Sequence, residues 1–171
     1  MSTDPRLPNS PSPLVFRLEV TAEDRERVQA LVQSTGVFSP SEVAVAVELV
    51  DERLAKGPAS GYEFIFAEQQ GRTLGYACYG HIAVTAASYD LYWVAVDKSA
   101  QGQGLGRALL EKSEQLIRQR GGRRMYIETS SRHDYAPTRT FYLRCGYQEE
   151  AVLKDFYAPG DDKVIYVKAL E

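Results

Sequence analysis

The sequence predicts a mixed α/β fold with a mostly antiparallel sheet and one parallel strand–helix–strand crossover. Apolar segments of strand length alternate with segments that have helical periodicity. A glycine-rich turn joins an apolar strand directly to an amphipathic helix, which is the expected start of a parallel crossover. The last two strand-like segments are separated by a turn and no helix, as in an antiparallel hairpin.

The first half of the chain is expected to contain a strand, two helices and a hairpin. Polar caps and proline mark the helix starts, and glycine marks their ends. In order, the predicted elements are an edge strand at residues 14–20, a helix capped by Thr21, a helix opened by Ser39-Pro40 and ended by Gly57-Pro58, and hairpin strands at residues 62–68 and 73–82.

The second half continues with a buried strand and the crossover. Six apolar residues without alternation predict a strand that is covered on both faces. The predicted elements are a strand at residues 91–96, a helix from Leu105 to Gly121-Gly122, a strand at 123–129, a helix from Pro137 to Gly146, and closing strands at 147–153 and 163–168. Residues 1–13 are expected to be a disordered lead-in, and residues 14–171 a single domain.

Composition excludes several classes of protein. The chain has 171 residues and a net charge of −3, whereas nucleic-acid binders are usually basic. It has no apolar run near the ~20 residues of a membrane span. Its only cysteines, Cys78 and Cys145, are far apart, and its only histidines are His81 and His133. We therefore expect no metal, no nucleic-acid or membrane partner, and a reducing cytoplasmic setting.

A glycine-rich turn at residues 101–106 is the strongest sequence signal. Glycines allow a ligand to approach the backbone, and the first N–H groups of the following helix have no partner inside it. These donors and the positive end of the helix dipole favour a phosphate. Between Lys98 and Arg124 seven basic residues face two acidic ones, a local charge of +5. A tight turn beside a solvated basic helix is the alternative interpretation.

Two phosphate-binding families do not fit this turn. A P-loop ends in Gly-Lys-Ser/Thr, but Gly106 is followed by Arg107-Ala108. The dinucleotide fingerprint GxGxxG matches Gly102 and Gly104, but its third position falls on Arg107. Glu128 lies where a ribose-binding acid is expected, yet only 43 residues follow it, too few for a second nucleotide-binding half.

The segment Gln101-Gly102-Gln103-Gly104-Leu105-Gly106 resembles the Gln/Arg-x-x-Gly-x-Gly/Ala signature of the GNAT superfamily of acyl-CoA-dependent N-acetyltransferases. Downstream, Phe141-Tyr142-Leu143-Arg144-Cys145-Gly146-Tyr147 resembles the family's FY-x-x-x-G-F/Y element. The resemblance covers about residues 16–170 and the order of the elements. Two separated motifs in the right order are more specific than either motif alone.

The resemblance implies that acetyl-CoA binds in a gap between the strands at 91–96 and 123–129. Main-chain groups of Val94, Ala95 and Val96 would pair with its pantetheine arm, and the Val96 N–H would polarise the thioester carbonyl. The remaining predicted cofactor-binding residues surround the diphosphate, with Lys98 as an additional counter-charge: Gln101, Gly102, Gln103, Gly104, Leu105, Gly106 and Arg107.

The resemblance also implies two catalytic residues. Glu128 resembles the glutamate that accepts the amine proton in several family members, and Tyr142 occupies the position of the family's tyrosine acid. Asp90 is the competing carboxylate, and water with backbone carbonyls is a third route. Many relatives hold pantetheine with an asparagine before the tyrosine helix, but residues 130–136 contain none. Arg139 is a further candidate for a phosphate contact or a surface charge.

The acceptor is expected to be a primary amine of a small molecule, such as an amino acid. Asp90, Tyr92 and Tyr157 are the candidate acceptor-binding residues. Residues 19–54 contain eight acids against three arginines, which would favour a cationic amine. Two alternatives stay open: an acetyltransferase that acts on protein or peptide amines, and an acyl-CoA-binding sensor without catalysis. A homodimer is a possible assembly because relatives often dimerise.

Overall fold

The computed structural model describes residues 12–171, so residues 1–11 of the expected lead-in lie outside it. The described strands are β1 (Val15–Arg17), β2 (Glu63–Gln69), β3 (Arg72–His81), β4 (Ser88–Val96), β5 (Arg124–Ser130), β6 (Gln148–Ala158) and β7 (Asp161–Ala169). The described α-helices are α1 (Asp24–Ser34), α2 (Pro40–Lys56), α3 (Leu105–Gln119) and α4 (Ala136–Arg144). Short 3₁₀ turns occupy Gly57–Ser60, Lys98–Ala100 and His133–Tyr135.

All seven of these strands form one sheet in the order β1-β2-β3-β4-β5-β7-β6. Only β4 and β5 run parallel, and α3 connects them. The predicted fold class and element order are therefore confirmed. No described helix combines the length and the apolar character that a membrane crossing requires.

Each face of the sheet carries a hydrophobic core. On one face α3 packs with buried side chains such as Leu109, Ile117 and Ile127. On the other face α1 and α2 cover a second cluster that includes Val50 and Tyr76. The sheet is therefore buried from both sides at its centre, as the continuous apolar strand predicts.

The starts of the first two helices differ in how well the sequence predicts them. Ser39 caps α2 as expected, and its side chain and that of Glu42 form a reciprocal capping box. The prediction that Thr21 caps α1 is wrong, because α1 begins at Asp24 and its N-cap residue, Glu23, makes no side-chain cap. Asp24 instead accepts the Thr21 N–H at 2.8 Å, held in place by an ion pair with Arg17.

Several strand boundaries differ from the prediction. β1 is shorter than the predicted 14–20, because its pairing with β2 stops at Arg17, whereas β4 and β7 begin three and two residues earlier than predicted. β6 extends to Ala158, five residues beyond the predicted end, so Phe156 and Tyr157 belong to a strand rather than to a loop. Its pairing with β7 is interrupted between Leu153 and Ala158, and Asp155 there adopts a positive φ of 52°. This irregularity is not encoded by a proline or glycine, which explains why the sequence does not reveal it.

Candidate functional site

The strands β4 and β5 separate near the middle of the sheet. Their parallel pairing ends where Leu91 meets Ile127. Beyond that point β4 continues to Val96 along β3 alone, and β5 continues to Ser130 along β7 alone. The result is a V-shaped gap that opens toward the C-terminal ends of both strands.

A bulge in β4 lies at the point of separation. Cys78 pairs with Trp93 and Tyr79 pairs with Leu91, so Tyr92 is an extra residue without a partner on β3. Leu91 and Val94 consequently belong to the same core cluster, although they are three residues apart. The bulge bends β4 and so contributes to its separation from β5.

The hydrogen-bonding pattern decides which main-chain groups of β4 face the gap. The Asp97 N–H donates to the Leu74 carbonyl at 2.8 Å, and the groups of an antiparallel pair alternate in direction. By this alternation the main-chain groups of Val94 and Val96 point into the gap, whereas those of Ala95 point to β3. Of the predicted residues Val94, Ala95 and Val96, only Val94 and Val96 therefore offer main-chain groups to a ligand in the gap.

The glycine-rich turn lies at the open end of the gap. Gly102 and Gly104 have φ values of +76° and +80°, a region that disfavours residues with a Cβ. A Cβ at either position would meet no heavy atom within 4 Å, so the turn faces open space. Within residues 12–171, no N–H of residues 101–107 donates to a protein acceptor. The turn is therefore an exposed row of unpaired donors at the start of α3.

Side-chain hydrogen bonds fix this turn to the neighbouring elements. The Gln101 amide donates to the Val96 carbonyl at 3.1 Å, which fixes the turn against the end of β4. Arg107 donates to the Arg144 carbonyl at 2.8 Å and so connects α3 to α4. Gly106 faces the Phe141 ring, which a Cβ would approach to 3.2 Å. Leu105 is buried in the α3 core, and Gln103 and Lys98 are exposed.

Tyr142 lies in α4 on the same face of the sheet as α3. The residue is 6% exposed, and its ring packs near those of Tyr147 and Tyr166, with centroids 6.2 and 6.0 Å away. Burial raises the pKa of Tyr142 well above its ordinary value, so the hydroxyl keeps its proton at neutral pH. Among the described residues this hydroxyl has no hydrogen-bond partner, although it is not fully enclosed.

The two predicted carboxylates lie on neighbouring strands of the opposite face. Asp90 pairs with Tyr126 in the β4–β5 register, two residues before Glu128. Glu128 is 49% exposed and forms an ion pair with Lys163, whose Nζ is 2.6 Å from its Oε2. Asp90 is partly buried and has no ion pair or hydrogen bond from a described side chain. Burial, and next the charge of Glu128, raises the pKa of Asp90.

Aromatic rings border these carboxylates. Tyr92 packs edge-on against Tyr62 at 5.2 Å, and burial followed by the charge of Asp90 raises its pKa to about 12. From β6, Phe156 places its ring centroid 3.8 Å from the Lys163 ammonium, and Tyr157 places its own at 6.0 Å. The acceptor residues predicted from sequence, Asp90, Tyr92 and Tyr157, therefore border one region of the sheet face.

The β5–α4 loop lacks the asparagine of many relatives and is held by other contacts. The Ser131 N–H donates to the Asp162 carbonyl at 2.9 Å, which fixes the loop to the β6–β7 turn. Arg139 donates to the carbonyls of Ser130 and Arg132 at 2.7 and 2.9 Å. Arg139 thus fixes this loop, and its role as a phosphate contact or a surface charge stays a prediction.

The sequence does not reveal Lys163 or Phe156 as site residues. Their approach to Glu128 depends on the register of β5 with β7 and of β7 with β6, where Ser130 and Leu153 both pair with Lys163. The partner of Glu128 is Lys163 of β7. No local pattern fixes the register of strands that are distant in sequence.

Metal ligation finds no support in this geometry. Within the described part of the chain, no three His, Cys, Asp or Glu side chains are grouped so as to hold a metal ion. The chemistry available to the site is therefore main-chain hydrogen bonding on one face of the gap and carboxylate, tyrosine and ammonium groups around it.

Known proteins share the family and the fold of this chain. The family model for the acetyltransferase (GNAT) domain matches residues 60–149, more than half of the chain. A crystal structure from Desulfovibrio desulfuricans, assigned to the GNAT family, is 49% identical, covers 93% of this chain and 100% of that chain, and superposes with a TM-score of 0.91.

More distant proteins agree with this match. An N-acetyltransferase of Methanocaldococcus jannaschii is 31% identical over 105 residues, which are 61% of this chain and 65% of that relative, less than two thirds of its length. An aminoglycoside 6′-N-acetyltransferase solved with coenzyme A has a TM-score of 0.72 at 15% identity, covering 92% of this chain and 97% of that chain. This last likeness concerns the fold alone.

Proposed function

Because this chain belongs to the GNAT family of acetyltransferases, we propose that it transfers the acetyl group of acetyl-CoA directly to a primary amine of a small molecule, such as an amino acid. The observation that carries this proposal is the row of unpaired N–H groups at residues 101–107, beside the gap between β4 and β5. When bound, acetyl-CoA supplies an activated acyl group.

The residues of the gap fit such a ligand. The N–H groups of the turn would donate to the diphosphate, because unpaired donors at a helix start favour anions. The N–H groups of Val94 and Val96 would pair with the pantetheine arm as a neighbouring strand does. The Val96 N–H, at the end of β4, is our candidate donor to the thioester carbonyl, where it would stabilise developing negative charge.

Some group of the site must accept the proton of the acceptor amine, directly or through water. An amine with pKa ~10.4 is neutral in about one molecule in 2,500 at pH 7, a deficit of roughly 4.6 kcal/mol. The charge of Glu128 is already matched by Lys163, whereas Asp90 lacks a partner among described side chains and has a raised pKa. We therefore favour Asp90 as the proton acceptor, with Glu128 as the alternative that the family resemblance suggests.

Tyr142 would act as a hydrogen-bond donor to the departing thiolate. A thiol has an ordinary pKa of about 8.5. Because burial raises the pKa of Tyr142 far above that value, complete proton transfer from its hydroxyl is uphill. A hydrogen bond from the hydroxyl stabilises the thiolate without that cost, and solvent then supplies the proton.

The proposal is tested by release of free thiol from acetyl-CoA in the presence of single amines: amino acids, diamines, an aminoglycoside and a short peptide. We expect amine-dependent release with a small amine. Release with the peptide alone would contradict the small-molecule assignment. A thermal upshift with CoA but no release with any amine would contradict catalysis and favour a sensor.

Two matched variants identify the base. Asp90→Asn should lower kcat/KM by about 10²–10⁴-fold, the usual contribution of a general base, while Glu128→Gln should cost less. In the wild type kcat/KM should rise as pH increases through the raised pKa of Asp90, since only the ionised form accepts a proton. A larger loss of kcat/KM in Glu128→Gln than in Asp90→Asn would assign the base to Glu128.

A further inference from the structure

We propose that Lys163 determines acceptor specificity by holding a fixed positive charge inside the acceptor site, which disfavours amines that carry a second positive charge. The inference rests on the proposed function, because it requires the acceptor to bind beside Asp90 and Glu128. It concerns which amines are accepted and not whether transfer takes place.

The Lys163 ammonium is held in one place by groups from three strands. It lies 2.6 Å from Glu128 Oε2 on β5 and 3.8 Å from the Phe156 ring centroid on β6, while its own residue is on β7. Only 12% of its side chain is exposed. A lysine restrained by a carboxylate and a ring does not move away easily when a second cation approaches.

Among Asp90, Glu128 and Lys163, one negative charge has no positive counterpart. Asp90 and Glu128 supply two negative charges and Lys163 supplies one positive charge. Of the neighbouring acids, Asp161 lies 4.0 Å from Arg132, and Glu42 accepts the Tyr135 hydroxyl at 2.9 Å, a bond that holds its carboxylate in place and leaves its charge. One ammonium beside Asp90 would balance the three groups that border the gap.

A second positive charge on the acceptor would meet an ammonium that is already present. Charges interact more strongly in a partly buried site than in water, and such a repulsive element is a common source of specificity. An acceptor whose remaining part is neutral or carries a carboxylate has no such penalty. The site therefore fits a singly charged amine or an amino acid better than a polyamine.

The test compares two acceptors with the same four-carbon chain, butylamine and 1,4-diaminobutane, by the ratio of their kcat/KM values. Lys163→Met removes the charge and keeps an unbranched side chain, and Lys163→Arg keeps the charge. We expect Lys163→Met to raise the ratio of diamine to monoamine by at least about tenfold, equal to about 1.4 kcal/mol. Lys163→Arg should leave the ratio within about twofold of wild type.

Further variants exclude trivial explanations. Lys112→Met removes a partly exposed charge from α3, on the other face of the sheet, and should leave the ratio unchanged. Lys163→Gln provides a second neutral variant if Lys163→Met does not fold. An unchanged ratio in a folded neutral variant, or an equal loss with both amines, would overturn the inference. Absence of thiol release with every amine in the wild type would instead overturn the proposed function.

Discussion

The side chain of Tyr142 belongs to the hydrophobic core and to the site at the same time. Its position in the Phe141-Tyr142 motif is readable from sequence, but its burial against Tyr147 and Tyr166 is not. That burial changes the expected role, since a tyrosine with a strongly raised pKa donates a hydrogen bond more readily than it gives up a proton.

The variant Tyr142→Phe removes the hydroxyl and keeps the ring. We expect kcat to fall by about 10- to 100-fold with little change in thermal stability, because the hydroxyl has no partner among the described residues. Tyr76→Phe is the matched control. Its hydroxyl is fully buried and unpaired in the other core, so its loss should keep activity and stabilise the fold by about 1 kcal/mol. A wild-type kcat in Tyr142→Phe would remove Tyr142 from the mechanism.

Glu128 shows where inference from sequence stops at the level of a residue. Its strand and its approximate place near the strand end follow from local patterns. Its partner does not, because Lys163 lies 35 positions later and meets it only through the register of β5 with β7. Which of the two carboxylates, Asp90 or Glu128, has a positively charged partner is therefore visible only in the three-dimensional structure.

At the scale of elements, the turn before α3 was predictable and the bulge in β4 was not. Glycines at residues 102 and 104 predict positive φ values, and both have them. The unpaired Tyr92 has no such signal, since it lies inside an apolar run that reads as a regular strand. Local sequence thus encodes the turn with its exposed N–H groups, whereas it does not encode the bend in β4.

The variant Gly104→Ala tests the turn, and Gly71→Ala controls for backbone strain. Both glycines have similar φ values, +80° and +74°, and open space around a built Cβ. Each substitution should cost about 1–2 kcal/mol of stability from the left-handed conformation. Only Gly104→Ala should weaken CoA binding, by about tenfold or more, in calorimetric titrations. Equal CoA affinity in the two variants would contradict a binding role for the turn.

At the scale of the whole molecule, the sheet is continuous at one end and divided at the other. The α3 core includes residues of β4 and β5 where the two strands pair, whereas the α1–α2 core covers β2, β3 and the later part of β4. Beyond Leu91 the two strands follow different neighbours, so the gap is a consequence of topology. It lies between the turn at residues 101–107, which we propose binds the diphosphate, and the carboxylate-lined region that we propose binds the acceptor. The order of elements predicts the parallel crossover. The point at which β4 and β5 separate, by contrast, can be located only from the register of the strands.

The most direct test of the account follows the backbone amide signals of residues 101–107 by nitrogen–proton NMR during titration with CoA. Pantetheine, which lacks the diphosphate, serves as the control ligand. We predict large shifts of these amides with CoA and small shifts with pantetheine, because the unpaired N–H groups would donate to the diphosphate. Amides of the turn that do not move at saturating CoA would contradict the central claim.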